Sequence, residues 1–202
     1  MPPPIELPTP RLGREDWLDA AFETVAESGF DSVRVLTLAA SLGVTRGSFY
    51  WHFTDHAELV SALVERWRKR EVDTHQRAQE ATPLEPKADL ERMLGAALAH
   101  AGAEIKYLRF ELALRGLGRR NPEVAKILIE VDRMRMRLFE SKFLRLTENP
   151  KAAADLAALF YLAIVGGTHA LARPANPERT KDYLQRIIGQ YLIVEQVSAV
   201  AR

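Results

Sequence analysis

The 202-residue sequence predicts an all-α protein of about nine helices. Three observations carry that reading. Apolar residues recur at helical spacing through most of the chain, and nothing alternates with period two over a useful length. Three segments also open with the same pair, Asn121-Pro122, Asn149-Pro150 and Asn176-Pro177. Asn accepts the first free N–H groups of a helix, and Pro in the first turn gives up no bond it needed.

Taken in order, the chain begins with Pro2, Pro3, Pro4, Pro8 and Pro10, which favour extended backbone; residues 1–12 are expected to be a disordered arm. From Arg14 the stripe Trp17, Ala20, Ala21, Val25, flanked by Phe22, predicts a first helix that stops at Gly29. A second short helix is expected over Leu36–Leu42, ended by Gly43. Thr45 can cap a third, from Arg46 to Phe53, and Asp55 a longer fourth, through Leu59, Leu63 and Trp67 to about Arg77. Ala81-Thr82-Pro83-Leu84-Glu85-Pro86 interrupts the pattern and reads as a domain junction. Beyond it, helices are expected at 87–101, 104–119, 122–146, 150–171 and 177–198. The expected organisation is therefore 1–12 arm, 13–54 first domain with its motif at 35–54, 55–80 connecting helix, and 81–202 second domain.

Composition narrows the function classes. With 47% hydrophobic and 27% charged residues, the chain can bury a substantial core. A formal net charge of +1 excludes a broadly polycationic nucleic-acid coat but leaves room for a local binding face. Residues 1–80 are net acidic and residues 81–202 net basic. Five of the acids (Glu15, Asp16, Asp19, Glu23, Glu27) fall in the first helix, away from the motif. The absence of cysteine excludes disulfides, thiol catalysis and Cys-ligated zinc. No apolar run approaches the roughly 18 residues of a membrane span. Met1-Pro2-Pro3-Pro4 has neither a basic n-region nor an apolar stretch. A cytoplasmic protein with no membrane partner is expected.

The segment that carries chemistry is 35–54, VLTLAASLGVTRGSFYWHFT. Two short helices meet at Gly43, with Leu38, Leu42 and Val44 around the turn and small Ala39 on the first helix, as a helix-turn-helix requires. On the second helix Phe49 and Phe53 share an inward stripe, while Gly47, Ser48, Tyr50 and Trp51 project outward to varying degrees. A large indole facing away from its own core wants a partner surface; the alternative is that Trp51 packs on the first helix.

Gly29-Phe30, Leu38-Ala39, Leu42-Gly43-Val44-Thr45, the run Gly47 to Phe53 and Glu58-Leu59 closely resemble the N-terminal DNA-binding domain of TetR-family (TetR/AcrR-type) transcriptional regulators, from Arg14 to Trp67. The resemblance implies a three-helix DNA-binding domain with a helix-turn-helix, followed by a C-terminal helical bundle for effector binding and dimerisation. It implies a homodimeric repressor of double-stranded DNA with a pseudo-palindromic operator, released by a small-molecule effector. Carried over to this chain, Thr45, Arg46, Gly47 and Ser48 would approach base edges and phosphates, and Tyr50, Trp51 and His52 the backbone or bases. Arg34, Thr37 and His56 complete the docking strip. His56 stands where many relatives carry a phosphate-binding lysine, and Val35 and Leu36 where relatives often carry polar groups. Few cations remain, so the phosphate share of affinity should be modest.

In the second domain, Trp67, Met93, Leu94, Phe110, Leu114, Met134 and Leu138 are candidates to line a pocket for a small apolar or amphipathic effector. The same stripe is what a plain core would show. Gly166, Gly167, Tyr183, Ile187, Ile188, Tyr191 and Leu192 are candidates for a four-helix dimer interface, which the resemblance also suggests. No cofactor, metal site or catalytic residue is expected. His52 and His56 should not share a helix face, Ser48 lacks a nucleophile elbow, and Gly116-Leu117-Gly118 lies on no strand. The run Asp132 to Arg137 reads as a solvated helix face rather than a nucleic-acid patch. An effector-independent regulator, or a helical enzyme or carrier, are the alternative readings.

Overall fold

Helix signals in the sequence become eight α-helices among the described residues of the computed structural model, which are 12–103, 105–171, 182 and 185–194; side chains at 97–103, 168–171, 191, 192 and 194 lie outside the description. They are α1 Arg14–Ser28, α2 Val35–Ser41, α3 Arg46–Phe49, α4 His56–Glu80, α5 Pro86–Ala103, α6 Ile105–Gly118, α7 Pro122–Thr147 and α8 Pro150–Leu171. A 3-10 turn, Phe30–Ser32, follows α1. Residues 185–188 are helical and widen into a π-helical turn, Gly189–Val194. No strand forms among the described residues. The expected arm, apart from Leu12, the Asn176-Pro177 signal and Tyr183 lie outside the described residues.

Caps set most boundaries. Asn121 Oδ1 accepts from Glu123 N and Val124 N at 3.0 and 3.3 Å, and Asn149 Oδ1 from Lys151 N and Ala152 N at 3.0 and 3.2 Å. Asp55 Oδ1 accepts from Glu58 N at 2.8 Å, while the Glu58 carboxylate accepts from Thr54 N and its hydroxyl. Gly29 and Gly43 close their helices at φ 80° and 68°, a region where a side chain would be strained.

Two compact units result, dividing between Leu63 and Val64 rather than at the 81–86 loop. The division falls inside α4 because its first turns are committed to the N-terminal unit. Leu59 and Leu63 are buried, and Arg14 Nη2 lies 3.8 Å from Glu58 Oε1. The N-terminal core is Trp17, Leu18, Ala21, Val25, Phe30, Val33, Leu38, Phe49 and Phe53.

In the C-terminal unit α7 and α8 pack most extensively. Leu90 and Leu94 from α5, Phe139, Phe143 and Leu146 from α7, and Ala153, Leu156, Ala157, Phe160, Tyr161 and Ile164 from α8 join Ile188 and Ile193 in one core. The buried Asp89 carboxylate clamps α5 to α7, accepting from Lys142 Nζ at 2.9 Å and Arg145 Nη1 at 2.8 Å, with Arg92 Nη2 at 2.5 Å. Contrary to the reading of apolar run lengths, α8 over Pro150–Gly167 is long and apolar enough to cross a membrane, with mean hydropathy 1.3. Its only charged residues are Lys151 and Asp155 in the first turns, residues 156–167 being apolar throughout, and one side of it is buried against the core just described.

Candidate nucleic-acid interface and bundle cavity

Phe49 and Phe53 turn inward as their spacing requires. Their rings stack with centroids 5.3 Å apart, and Trp17 meets Phe49 edge-on at 5.3 Å. That anchoring leaves Tyr50 half-exposed and Trp51 88% exposed, so the indole does not pack on α1. The α-helical part of α3 is shorter than expected, ending at Phe49. Tyr50 N, Trp51 N and His52 N donate instead to Gly47 O, Ser48 O and Phe49 O, the tighter i→i+3 pattern, before Phe53 N returns to Phe49 O at 3.1 Å.

The remaining motif residues are distributed as follows. Arg34, Thr37, Thr45, Arg46 and Gly47 are exposed, and Ser48 and His52 are half-buried. Arg46 Nη2 donates to the Tyr50 phenol at 3.1 Å, one helical turn away, so guanidinium and phenol stand together on the outer side. Thr45 does not cap α3 through its hydroxyl; Oγ1 meets Ser48 Oγ at 3.3 Å. His56 Nε2 donates to Val33 O at 2.9 Å, because a carbonyl can only accept, so the ring is tied to the loop before α2 and keeps Nδ1 for any outside partner. Leu36 is 65% exposed beside this strip in sequence.

The C-terminal unit holds a cavity of about 250 Å³. Met93 and Leu138 line it as the sequence suggested, with Leu108, Phe139, Ile164 and Val165. Trp67, Leu94, Phe110 and Leu114 do not line it. They are at most 2% exposed and sealed in the packing between helices, and half-buried Met134 is not part of the lining either. Apolar periodicity marks inward residues without telling which of them face a void.

The polar side of the cavity was not anticipated. Arg135 binds Glu111 with both amino groups, at 3.0 and 3.0 Å, and Glu71 through Nη2 at 2.7 Å. Arg115 binds Glu111 at 2.7 Å and Asp132 with two bonds at 3.0 and 2.9 Å. The Tyr161 hydroxyl donates to Asp132. Burial alone would push the Glu111 carboxyl up, but Arg135 and Arg115 outweigh it and hold its pKa at about 2. Burial and the bond to Asp132 push the Tyr161 phenol up to about 12. Arg135 is held well above its ordinary value: burial opposes its charge, but Glu111 and Glu71 prevail. Burial and the charge of Arg137 push His75 down, and its Nδ1 is buried without a hydrogen-bond partner. Arg70 places its guanidinium 3.4 Å from the centre of the Tyr107 ring. The one visible sequence signal was Glu111 and Arg115 at i,i+4 spacing.

Of the interface candidates, Gly166 is exposed, Gly167 is buried and Ile187 is half-buried. Ile188 is 3% exposed and belongs to the chain's own core. Tyr191 and Leu192 lie on the π-helical turn, their side chains outside the description. The outer side of α8 instead presents Leu159 and Leu162, 54% and 65% exposed.

Comparison with known proteins places this geometry. A model of the family described as bacterial regulatory proteins, tetR family, matches residues 18–63. The chain is 40% identical over 53 residues to the tetracycline repressor protein class D of Escherichia coli, a match covering 26% of this chain and 24% of that protein. It is 33% identical over 76 residues to the HTH-type transcriptional regulator TtgR of Pseudomonas putida, covering 38% and 34%. The likeness thus spans about a quarter to a third of these relatives. Solved structures extend it as a fold. A transcriptional regulator from Rhodococcus sp. Rha1 superposes with a TM-score of 0.72 at 22% identity, over 91% of this chain and 97% of that one. A putative transcriptional regulator from Saccharomonospora viridis, in complex with choline, gives 0.73 at 18% identity, over 88% and 96%. All four are named as repressors or transcriptional regulators. Residues 18–63 are thus similar to the N-terminal domain of bacterial regulatory proteins of the tetR family, and the chain shares its all-helical fold with solved transcriptional regulators.

Proposed function

We propose that the chain is a DNA-binding transcriptional regulator that acts in the cytoplasm as a homodimer. In this reading each subunit sets α2 and α3 into the major groove of a pseudo-palindromic operator, and the protein represses until a small apolar or amphipathic effector enters the C-terminal cavity. The observation that carries the reading is the outward pairing of Arg46 with Tyr50, next to a Trp51 that is 88% exposed. A folded domain gains nothing by presenting an indole and a phenol to water; a duplex offers phosphates, sugars and thymine methyl groups to meet them.

Dimerisation is supported by the outer side of α8, where Leu159, Leu162 and Gly166 form an apolar strip with room for close helix approach. Two heads must reach major-groove faces about 34 Å apart, or a multiple, on a two-fold operator. α4 runs from the motif unit into the cavity lining, where Arg70 and Glu71 stand. An effector that favours a different setting of α4 would therefore lower DNA affinity by population shift. The choline held by the Saccharomonospora viridis regulator supports a small-molecule role for this cavity.

Selecting bound fragments from a random duplex pool tests the class and supplies the operator. On the selected duplex, Arg46→Ala and Tyr50→Ala are expected to weaken binding by about tenfold or more, equivalent to about 1.4 kcal/mol, while sedimentation still shows a dimer. Unchanged gel-shift affinity for both variants, or no enrichment of any duplex, would overturn the reading.

A further inference from the structure

Among the described residues, every polar side chain of the cavity wall has a partner within the chain except His75. Resting on the reading of the cavity as the effector site, we propose that it takes a small neutral carbonyl compound with an apolar body (a ketone, ester, lactone or amide), whose oxygen accepts a hydrogen bond from His75 Nε2.

The rest of the polar wall is committed. Arg135 divides its amino groups between Glu111 and Glu71, and Glu111 also holds Arg115. The Tyr161 hydroxyl donates to Asp132, Thr74 Oγ1 accepts from Arg77 Nη2 at 3.2 Å, and Arg70 lies on the Tyr107 ring. His75, one turn beyond Glu71 on α4, makes no hydrogen bond with any described residue.

Its two nitrogens are not equivalent. Nδ1 is sealed off without a partner, which leaves Nε2 as the nitrogen that an incoming molecule can reach. A buried N–H without an acceptor is rarer and costlier than a buried bare lone pair, so the single proton of the neutral ring belongs on Nε2. A second proton is disfavoured, because burial and the charge of Arg137 push His75 down. The wall therefore offers one uncharged N–H donor that no group of the protein uses.

A carbonyl oxygen answers that donor without bringing a charge or a hydrogen of its own. Met93, Leu108, Leu138, Phe139 and Ile164 receive the apolar body. At about 250 Å³ the cavity lies just under the roughly 300 Å³ where drug-sized ligands begin, so that body is short. An ammonium has no lone pair for Nε2–H, and it meets Glu71 and Glu111 already bonded. A carboxylate could accept from Nε2, but it must shed its water one turn from Glu71, with Arg135 committed and Arg70 laid on Tyr107.

The test uses the full-length protein and three probes of equal chain length, 2-octanone, octanoate and octylammonium, by calorimetric titration. The ketone should bind about tenfold or more tightly than either ion. His75→Phe should weaken ketone binding about five- to tenfold, and His75→Gln, whose amide N–H stands near the place of Nε2, should retain most of it. Neither change strands a partner, so both variants should keep the wild-type fold and operator affinity. Nitrogen NMR of His75 in the wild-type protein reads the tautomer directly: the proton should sit on Nε2, and its resonance should move downfield when 2-octanone is added. A proton on Nδ1, no ketone binding, preferred binding of either ion, or equal ketone affinity in wild type and His75→Phe would each overturn the carbonyl assignment and leave the effector reading standing. Ketone binding that depends on His75 but leaves operator affinity unchanged would uphold the carbonyl site and sink the effector reading instead.

Discussion

Arg46 is a long, flexible cation, and the bond it makes to Tyr50 removes part of the entropy it would otherwise lose on docking. The bond depends on a four-residue spacing across a short helical stretch, and on Phe49 holding that stretch against Trp17 so that positions 46 and 50 face outward together. Tyr50→Phe keeps the ring and deletes the acceptor. It is expected to lower operator affinity by a factor of about three, less than Arg46→Ala, with fluorescence anisotropy on the selected duplex as the measure. If Tyr50→Phe and wild type bind alike, the phenol does not position the guanidinium. His56 makes the complementary point: its ring is already engaged by Val33 O, so its contribution to a docking strip is one nitrogen, on a ring that the loop before α2 holds in place.

Helices and their ends were the most legible part of the sequence, because caps are local chemistry. Asn121 and Asn149 accept the bonds their side chains imply, and α7 and α8 begin at the prolines that follow them. The clamp between α5 and α7 was invisible, since Asp89, Lys142 and Arg145 are far apart in the chain and each alone reads as a surface charge. The Asp89 side chain is 1% exposed, so removing its carboxylate strands Lys142, itself only 11% exposed, without a counter-charge. Asp89→Ala is expected to destabilise the bundle by about 3–5 kcal/mol in urea unfolding, far more than the loss of a surface ion pair. A change below about 1 kcal/mol would mean that water, not Asp89, neutralises this end of α7. The end of α3 was illegible for a related reason: tertiary anchoring at Phe49 decides whether the next N–H groups bond three or four residues back, and periodicity cannot see that choice.

At the scale of the whole molecule, the sequence carried the fold class and the motif, but not the polar half of the cavity. Arg135 sits in the run Asp132 to Arg137 that reads as a solvated face; Arg133 and Arg137 are exposed, yet Arg135 turns inward to Glu111 and Glu71. Alternation of charged residues cannot reveal which one meets a carboxylate from another helix. That half-buried ladder makes stability depend on acid. Glu111 titrates at about 2 in the folded protein against 4.5 for the ordinary side chain, and Asp89 is also lowered, burial being outweighed by Lys142, Arg92 and Arg145. A depressed carboxyl pKa contributes stability that is complete above the unfolded value and lost as pH falls towards the folded one. Melting temperature is therefore expected to be nearly level from about pH 7 to 5 and to drop as pH is lowered from 4.5 towards about 2. Glu111→Gln should start from a lower melting temperature, because Arg135 and Arg115 lose a charged partner, and should show a shallower acid decline. An equally steep decline in Glu111→Gln would assign the acid sensitivity to other carboxylates, Asp89 first among them, and would leave the ladder beside the cavity without a role in it.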